Sequence, residues 1–362
     1  MARNEKGHVL LLALVIMTVG TIIIGALFLY LNTSLLASSK SEERALTYYA
    51  ADSGIEYALF QLQNGSEVVP PYGINNNTVN VTITTVEQDD PSYKVYMITS
   101  TASGDSGGST TIESYVSLAS ADFGWLLESV ITSNDDVTIQ PGAEVTGDII
   151  YTGTLDNDGT IHGNVTELDD IRNWPTAEEF AAFYREDVEG LEPFADSPID
   201  VADTTSIGPW YTEESLVIKS TVSQANATLN GTVYVMGNLT IGQTSQDFTL
   251  NLSQQTIFVE GNITFGDKCT LAGSGAIIAI GDIYFAPNLA TSPEDFVFVM
   301  SIDGTTTLQP GGDFYGALAG NVDVTIQPNC TLELGGGGGG DAGLTLPTAG
   351  DREPETFTYN IK

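Results

Sequence analysis

Residues 9–31 read Val-Leu-Leu-Leu-Ala-Leu-Val-Ile-Met-Thr-Val-Gly-Thr-Ile-Ile-Ile-Gly-Ala-Leu-Phe-Leu-Tyr-Leu, without a single charge. As a helix this run spans about 35 Å, enough to cross a bilayer. Arg3 and Lys6 precede it, so the positive-inside rule predicts a cytoplasmic N-terminus and an exported body. The run is longer than the apolar core of a cleaved secretory signal, and Asn32, Thr33, Ser34, Leu35 and Leu36 continue a helical pattern. No proline occurs from Leu35 to Gln63, and the one glycine there is Gly54. Ile55, Ala58, Leu59 and Leu62 form an apolar stripe at helical spacing. The prediction is one helix over residues 8–63, about 84 Å long, lipid-soluble in its first half and packed on a β domain in its second.

Charge separates along the chain. Of 11 Lys+Arg and 47 Asp+Glu, residues 1–50 hold four and three, a net of +1, leaving seven against 44, a net of −37, for residues 51–362. Such a body repels phosphates, which excludes a nucleic-acid-binding surface and disfavours adhesion to anionic lipid. With 38 Gly and 68 Ser+Thr, the composition is that of a turn-rich β protein.

Three segments resemble the type IV pilin superfamily, in particular proteins with a PilX-type N-terminal region. A short polar leader ends in Lys6-Gly7 directly before the apolar helix. Tyr49-Ala50-Ala51-Asp52-Ser53-Gly54-Ile55-Glu56-Tyr57-Ala58-Leu59 is similar to the family's A-A-E-A-G-I-E-x-A-L stretch. Residues 93–100 and 110–116, separated by a Gly-Ser turn, look like the hairpin that closes the pilin sheet. The resemblance implies cleavage after Gly7 by a prepilin peptidase, giving His8 as the mature N-terminus. It also implies partnership with the membrane, the assembly machinery and other pilin-like subunits or copies of itself. Leu12, Ala50, Ala51, Gly54 and Ile55 would then serve helix assembly and packing. Leu12 departs from the family, which commonly has Glu at this fifth mature position.

The body reads as a sheet followed by a solenoid. Val79, Val81 and Ile83 alternate with polar residues, a half-buried strand, completing a small antiparallel sheet over 64–120. From about residue 126 short β-branched runs follow Gly147-Asp148, Gly163-Asn164, Gly237-Asn238, Gly261-Asn262, Gly281-Asp282 and Gly320-Asn321. A second repeat runs Val137-Thr138-Ile139-Gln140-Pro141, Thr307-Leu308-Gln309-Pro310 and Val324-Thr325-Ile326-Gln327-Pro328. Spacings of 24, 20 and 39 residues from Gly237, the last fitting two turns, predict a parallel β-helix whose corner Asn side chains bond along the stack. Thr176 and Glu179 form a capping-box pair, and Phe180, Phe183 and Tyr184 share one face of the helix they start. The fold class is therefore α+β or all-β. A leader (1–7) precedes the pilin-like helix (8–63, membrane span 9–31) and the sheet (64–120). A parallel β-helix (121–346) with a helical insertion at about 167–218 and a tail (347–362) follow.

Little of the sequence points to chemistry. Gly104-Asp105-Ser106-Gly107-Gly108 spells a serine-protease nucleophile motif, but His162 follows the serine, where that family places its histidine before it, and the run suits a turn. Asp156-Asn157-Asp158-Gly159 resembles part of a calcium loop without its further ligands, so Asp156 and Asp158 are a weak Ca2+ candidate and no cofactor is otherwise expected. Gly335–Gly340 with Asp341 suits a loop better than a calcium repeat. The acidic pairs Asp135-Asp136, Asp169-Asp170 and Glu213-Glu214 are the candidates for a polysaccharide-acting enzyme. Eleven Asn-x-Ser/Thr sequons occur (Asn32, Asn64, Asn76, Asn80, Asn164, Asn226, Asn230, Asn238, Asn251, Asn262, Asn329), consistent with an exported glycoprotein or with turns written in Asn and Thr. Export permits a disulfide between Cys269 and Cys330, but about three coils between them favours two free buried thiols. The expected function is a non-enzymatic, surface-exposed pilin-like protein. An anchored adhesin or carbohydrate-binding solenoid is the alternative, and a polysaccharide-acting enzyme the third.

Overall fold

The structure, a computed structural model, describes residues 6–361 apart from 87, 105–106, 120–122, 203, 243–245, 268, 288, 310, 336–343, 345 and 348–354. The chain divides into two compact units: 1–86 with 95–117 and 354–362, and 87–94 with 118–353.

In the first unit a single helix, α1 (Lys6–Gln63), lies against an antiparallel sheet. Four of its strands, Tyr72–Ile74, Asn77–Val86, Tyr93–Gly104 and Ser109–Ala119, follow in chain order. The fifth is Glu355–Ile361, which pairs antiparallel with Ser109–Ala119. The expected tail is thus a sheet edge; Phe357, Tyr359 and Ile361 alternate with polar residues, a strand period at the chain's end. Thr47, Ala50, Ala51, Ile55, Ala58 and Leu62 are buried, one helical stripe facing Val79, Ile98 and Ala102. Helix and sheet meet through small residues. A Cβ on Gly54 would lie 2.1 Å from Ser100 Oγ and 2.9 Å from Val79 Cγ1. Gly54→Ala is expected to cost about 1 kcal/mol net, since Ser100 Oγ can turn away but Val79 Cγ1 and Ser100 Cβ yield only if helix and strand move, which outweighs the helix propensity alanine regains. Gly54→Leu is expected to destabilise the unit by about 1–3 kcal/mol through overpacking. Faster hydrogen exchange in strands 77–86 and 95–104 is the readout.

The second unit is a parallel β-solenoid of nine coils with three faces. Face A is one nine-stranded parallel sheet; face B follows it in each coil (Thr204–Ile207, Ala225–Leu229, Phe248–Asn251 and Cys269–Ala272 among its strands), and face C comes third (Trp210–Thr212, Val233–Val235, Thr256–Val259, Gly275–Ala279 and Val297–Ser301 among its strands). Stacking order differs from chain order. Coils 1 to 6 start at Ile199, Leu216, Leu239, Ile263, Ile283 and Thr305. Coil 7 takes Asp323–Ile326 and Thr331–Glu333 from the C-terminal side but Ile131–Ser133 from the N-terminal side. Residues 136–151 and 155–167 then form coils 8 and 9. The Val-Thr-Ile-Gln repeat reports this closure: Thr307, Thr325 and Thr138 are successive register partners on face A. The six Gly-Asn/Asp units, grouped as one repeat in the sequence, serve two corners. Those at 237, 261, 281 and 320 join face C to face A, whereas those at 147 and 163 join face B to face C. At the first corner the expected ladder forms: Asn238 Oδ1 accepts from Asn262 N at 2.8 Å, and Asn262 Oδ1 from Asp282 N at 2.9 Å.

The core fills the inside, with Ile257, Ile277, Val299, Leu318, Ile131 and Ile149 forming one inward column of face C. Face C is buried on its outer side as well. Helix α2 (Ala177–Asp187) lies on it, capped by the expected Thr176–Glu179 box. Tyr184 stacks on Phe258 at 5.1 Å, and the Phe180 ring meets Phe123 at 5.5 Å, tilted by 45°. The insertion is shorter than expected. It spans 168–198, because Ile199–Val201, Thr204–Ile207, Trp210–Thr212 and Leu216–Ser220 are already solenoid strands. Coil 1 is terminal, so its strands are Thr- and Ser-rich and lack the Gly-Asn corner.

Candidate functional site

α1 is the helix long and apolar enough to cross a membrane among the described residues. Leu10, Leu11, Leu12, Leu14, Ile16 and Met17 are each more than 60% exposed, whereas Ala50, Ala51 and Ala58 of the same helix are fully buried. One rigid rod therefore carries an uncovered apolar end and an end seated in its own sheet. Gly7 and His8 lie in its first turns. Ala50, Ala51, Gly54 and Ile55 face the sheet and are closed to other chains; Leu12 is open.

On the solenoid, face A carries an outward column that the sequence analysis missed. Thr240, Thr264, Tyr284, Thr307, Thr325 and Thr138 are consecutive register partners. The five threonines are half-exposed and Tyr284 is 43% exposed. Coils stack about 4.8 Å apart, so the hydroxyls form a regular row. The signal was present as the middle residue of Leu-Thr-Ile, Ile-Thr-Phe and Val-Thr-Ile.

The other sequence candidates disperse. Asp156 is exposed at the end of this column, and Asp158 N donates to Ile139 O at 2.8 Å. The turn is closed by Gly159 N donating to Asn157 Oδ1 at 3.0 Å. Among the described residues no three His, Cys, Asp or Glu side chains are grouped to hold a metal. Asp105 and Ser106, and the glycine run from 336 with Asp341, lie outside the described residues. His162 instead contacts Glu144 at 3.1 Å. Cys269 and Cys330 are free and buried. Burial pushes the Cys269 thiol up to about 12 and also raises that of Cys330, so both are inert thiols. Of the sequons, Asn238 and Asn262 are corner-ladder acceptors, Asn230 donates to Ser206 Oγ, and Asn251 Oδ1 accepts from Ser253 N at 2.9 Å. Asn226 is exposed on face B.

Asp135 and Asp136 stand at the seam where coil 8 meets coil 7. Asp136 is the register partner of Asp323. Burial first, then the charges of Asp136 and Asp135, raise the Asp323 carboxyl, against a lowering hydrogen bond from Thr325. Its Oδ1 is buried without a hydrogen-bond partner. A carboxyl raised in the folded state contributes stability below its unfolded pKa and loses it as pH rises through the folded value. Asp323→Asn is therefore expected to raise the melting temperature at pH 7 by about 2 °C, the shift that roughly 1 kcal/mol gives in a unit of this size. The gain should vanish in acid, which thermal melts at pH 7 and pH 3 will show.

The class these features define is a β-solenoid protein with a long, apolar N-terminal helix. No family model and no curated protein matches the chain. Among solved structures it is similar to the competence-associated pilin ComZ from Thermus thermophilus, with 12% identity over 88% of this chain and 97% of that one and a TM-score of 0.32. It is also similar to an ice-binding protein from an Antarctic bacterium of the Flavobacteriaceae (14% identity, 59% of this chain, TM-score 0.28), of whose length it spans 46%. An ice-binding protein (LeIBP) from Arctic yeast is 15% identical over 59% of this chain and 94% of that one, with a TM-score of 0.34.

Proposed function

We propose that this chain is a non-enzymatic, pilin-like structural protein of the cell surface, with a PilX-type N-terminal region. The observation that supports this is α1, exposed and apolar at one end and sheet-seated at the other. Such a rod can leave lipid for a bundle of like helices with little change in apolar burial. In this reading the N-terminus is cytoplasmic and the body is outside. A prepilin peptidase cuts between Gly7 and His8, and further pilin-like subunits or copies of this chain pack against α1 in a filament. The acidic solenoid projects outward and keeps filaments apart by repulsion. No cofactor is required, and Asn226, exposed on face B, is a sequon open to a glycan. Mass spectrometry of the native protein tests it. A mature N-terminus at His8 in surface-sheared material is the expected result; an intact N-terminus confined to membranes would overturn the filament reading and leave an anchored monomer.

The threonine column favours a second reading, an anchored adhesin whose face A meets a ligand with a repeat of its own, such as a crystalline polysaccharide. Co-sedimentation with cellulose or chitin, lost in Thr307→Lys, is the expected result for that reading. The same assay on ice separates a saccharide surface from one that takes any ordered hydroxylated lattice.

A further inference from the structure

On face C the outward column runs Met300, Ile278, Phe258, Tyr234, Tyr211 towards coil 1. Tyr184 of α2 covers Phe258, and the helix ends three residues later at Asp187. Gly190, at φ +81°, turns the chain so that Leu191 returns towards the strands. Between this turn and coils 1 and 2 lies a cleft of about 520 Å³, within the usual range for small-molecule sites. Its apolar lining is Tyr211, Met236, Val188 and Leu191, and its carboxylates are Glu186, Glu189 and Glu213. Arg185 is the cation that lines it, and its guanidinium is already committed: Nη2 donates to Glu260 Oε1 at 2.9 Å and to Tyr234 Oη at 3.1 Å. Tyr234 is fully buried beneath it, so Tyr211 offers the accessible ring.

We propose that this cleft binds an organic cation, its ammonium group among Glu186, Glu189 and Glu213 and its hydrocarbon body against Tyr211, Met236 and Leu191. Three carboxylates against one neutralised arginine repel an anion and give a neutral molecule no electrostatic gain. An ammonium gains from the field and from the tyrosine face together. The apolar floor distinguishes the cleft from the acidic surface elsewhere, which attracts cations without holding a hydrocarbon body. The inference goes beyond the structural role and does not depend on filament assembly.

The experiment is calorimetric titration of the full chain in detergent with choline, beside its neutral isostere 3,3-dimethylbutan-1-ol. Choline is expected to bind one per chain and at least about tenfold more tightly than the alcohol. The double variant Glu189→Gln/Glu213→Gln and the single variant Tyr211→Ala should each weaken it about tenfold, the scale of a cation–π contact or of the attraction of two exposed carboxylates for the cation. Glu333→Gln, on face B, should leave it unchanged. Equal binding of the alcohol, equal weakening by Glu333→Gln, or no choline heat would each overturn the proposal.

Discussion

Gly316→Ala is expected to prevent the solenoid from folding. Gly316 sits at φ +152°, where strand Asp313–Gly320 turns the corner from face B to face C. A Cβ there would lie 1.9 Å from Val297 O and 2.7 Å from Val297 C. Both atoms are backbone of the preceding coil, and Val297 is the register partner of Gly316. No rotamer change relieves the overlap, so coils 5 and 6 would have to move apart and give up ladder hydrogen bonds. The loss should exceed about 4 kcal/mol, the range reserved for disruption of a packed core. Gly107→Ala is the control: Gly107 has φ +87° but nothing within 4 Å of its added Cβ, so it carries the strain without the clash. Limited proteolysis and thermal melts distinguish the two. A Gly316→Ala protein melting within a degree or two of the parent would show that coil spacing is not set by this glycine.

Phe258→Ala is expected to cost about 3–5 kcal/mol, as large aromatic truncations in a sealed core do, and to release α2. Phe258 is fully buried and lies between Tyr184 at 5.1 Å and Tyr234 at 5.2 Å. The same helix is also tied by Arg185 to Glu260, but those side chains are 60% and 29% exposed. An exposed ion pair contributes about 0–1 kcal/mol, so Arg185→Met should barely move the melting temperature. Hydrogen exchange over 177–187 is the discriminating readout. It should rise steeply in Phe258→Ala and little in Arg185→Met; the opposite order would mean that charge, and not ring stacking, holds the helix.

The elements legible in the sequence were those with a strong local period. The apolar run and the Ile55–Leu62 stripe define α1, Thr176 and Glu179 its short companion, and the Gly-Asn corners the solenoid. What escaped depended on contacts distant in the chain. The similarity of residues 137–141 to 324–328 was visible, yet nothing local says that they are stacked neighbours rather than opposite ends of an array. The strand Glu355–Ile361 was read as a tail because its partner, Ser109–Ala119, precedes it by more than 230 residues. Coil 1 was assigned to the insertion because a terminal coil faces water at its end, and Thr204-Thr205-Ser206 carry no apolar signal. The cleft beside Tyr211 needed the position at which α2 stops, which the Thr176 cap fixes at one end only.

The closure of coil 7 also sets the order in which this chain can become stable during synthesis. Strand Ile131–Ser133 meets residues 149–151 on one side soon after it emerges, but its partner on the other side, residues 318–320, comes only some 190 residues later. The first unit waits longer still, since its edge strand is 355–361. The two stretches of the solenoid therefore join only once residues 318–333 are available, and the edge of the first unit pairs only with 355–361. A chain halted midway therefore stays open and protease-sensitive. Residues 355–361 thus seal one sheet edge: removing them should open Ser109–Ala119 to proteolysis while every solenoid coil stays intact.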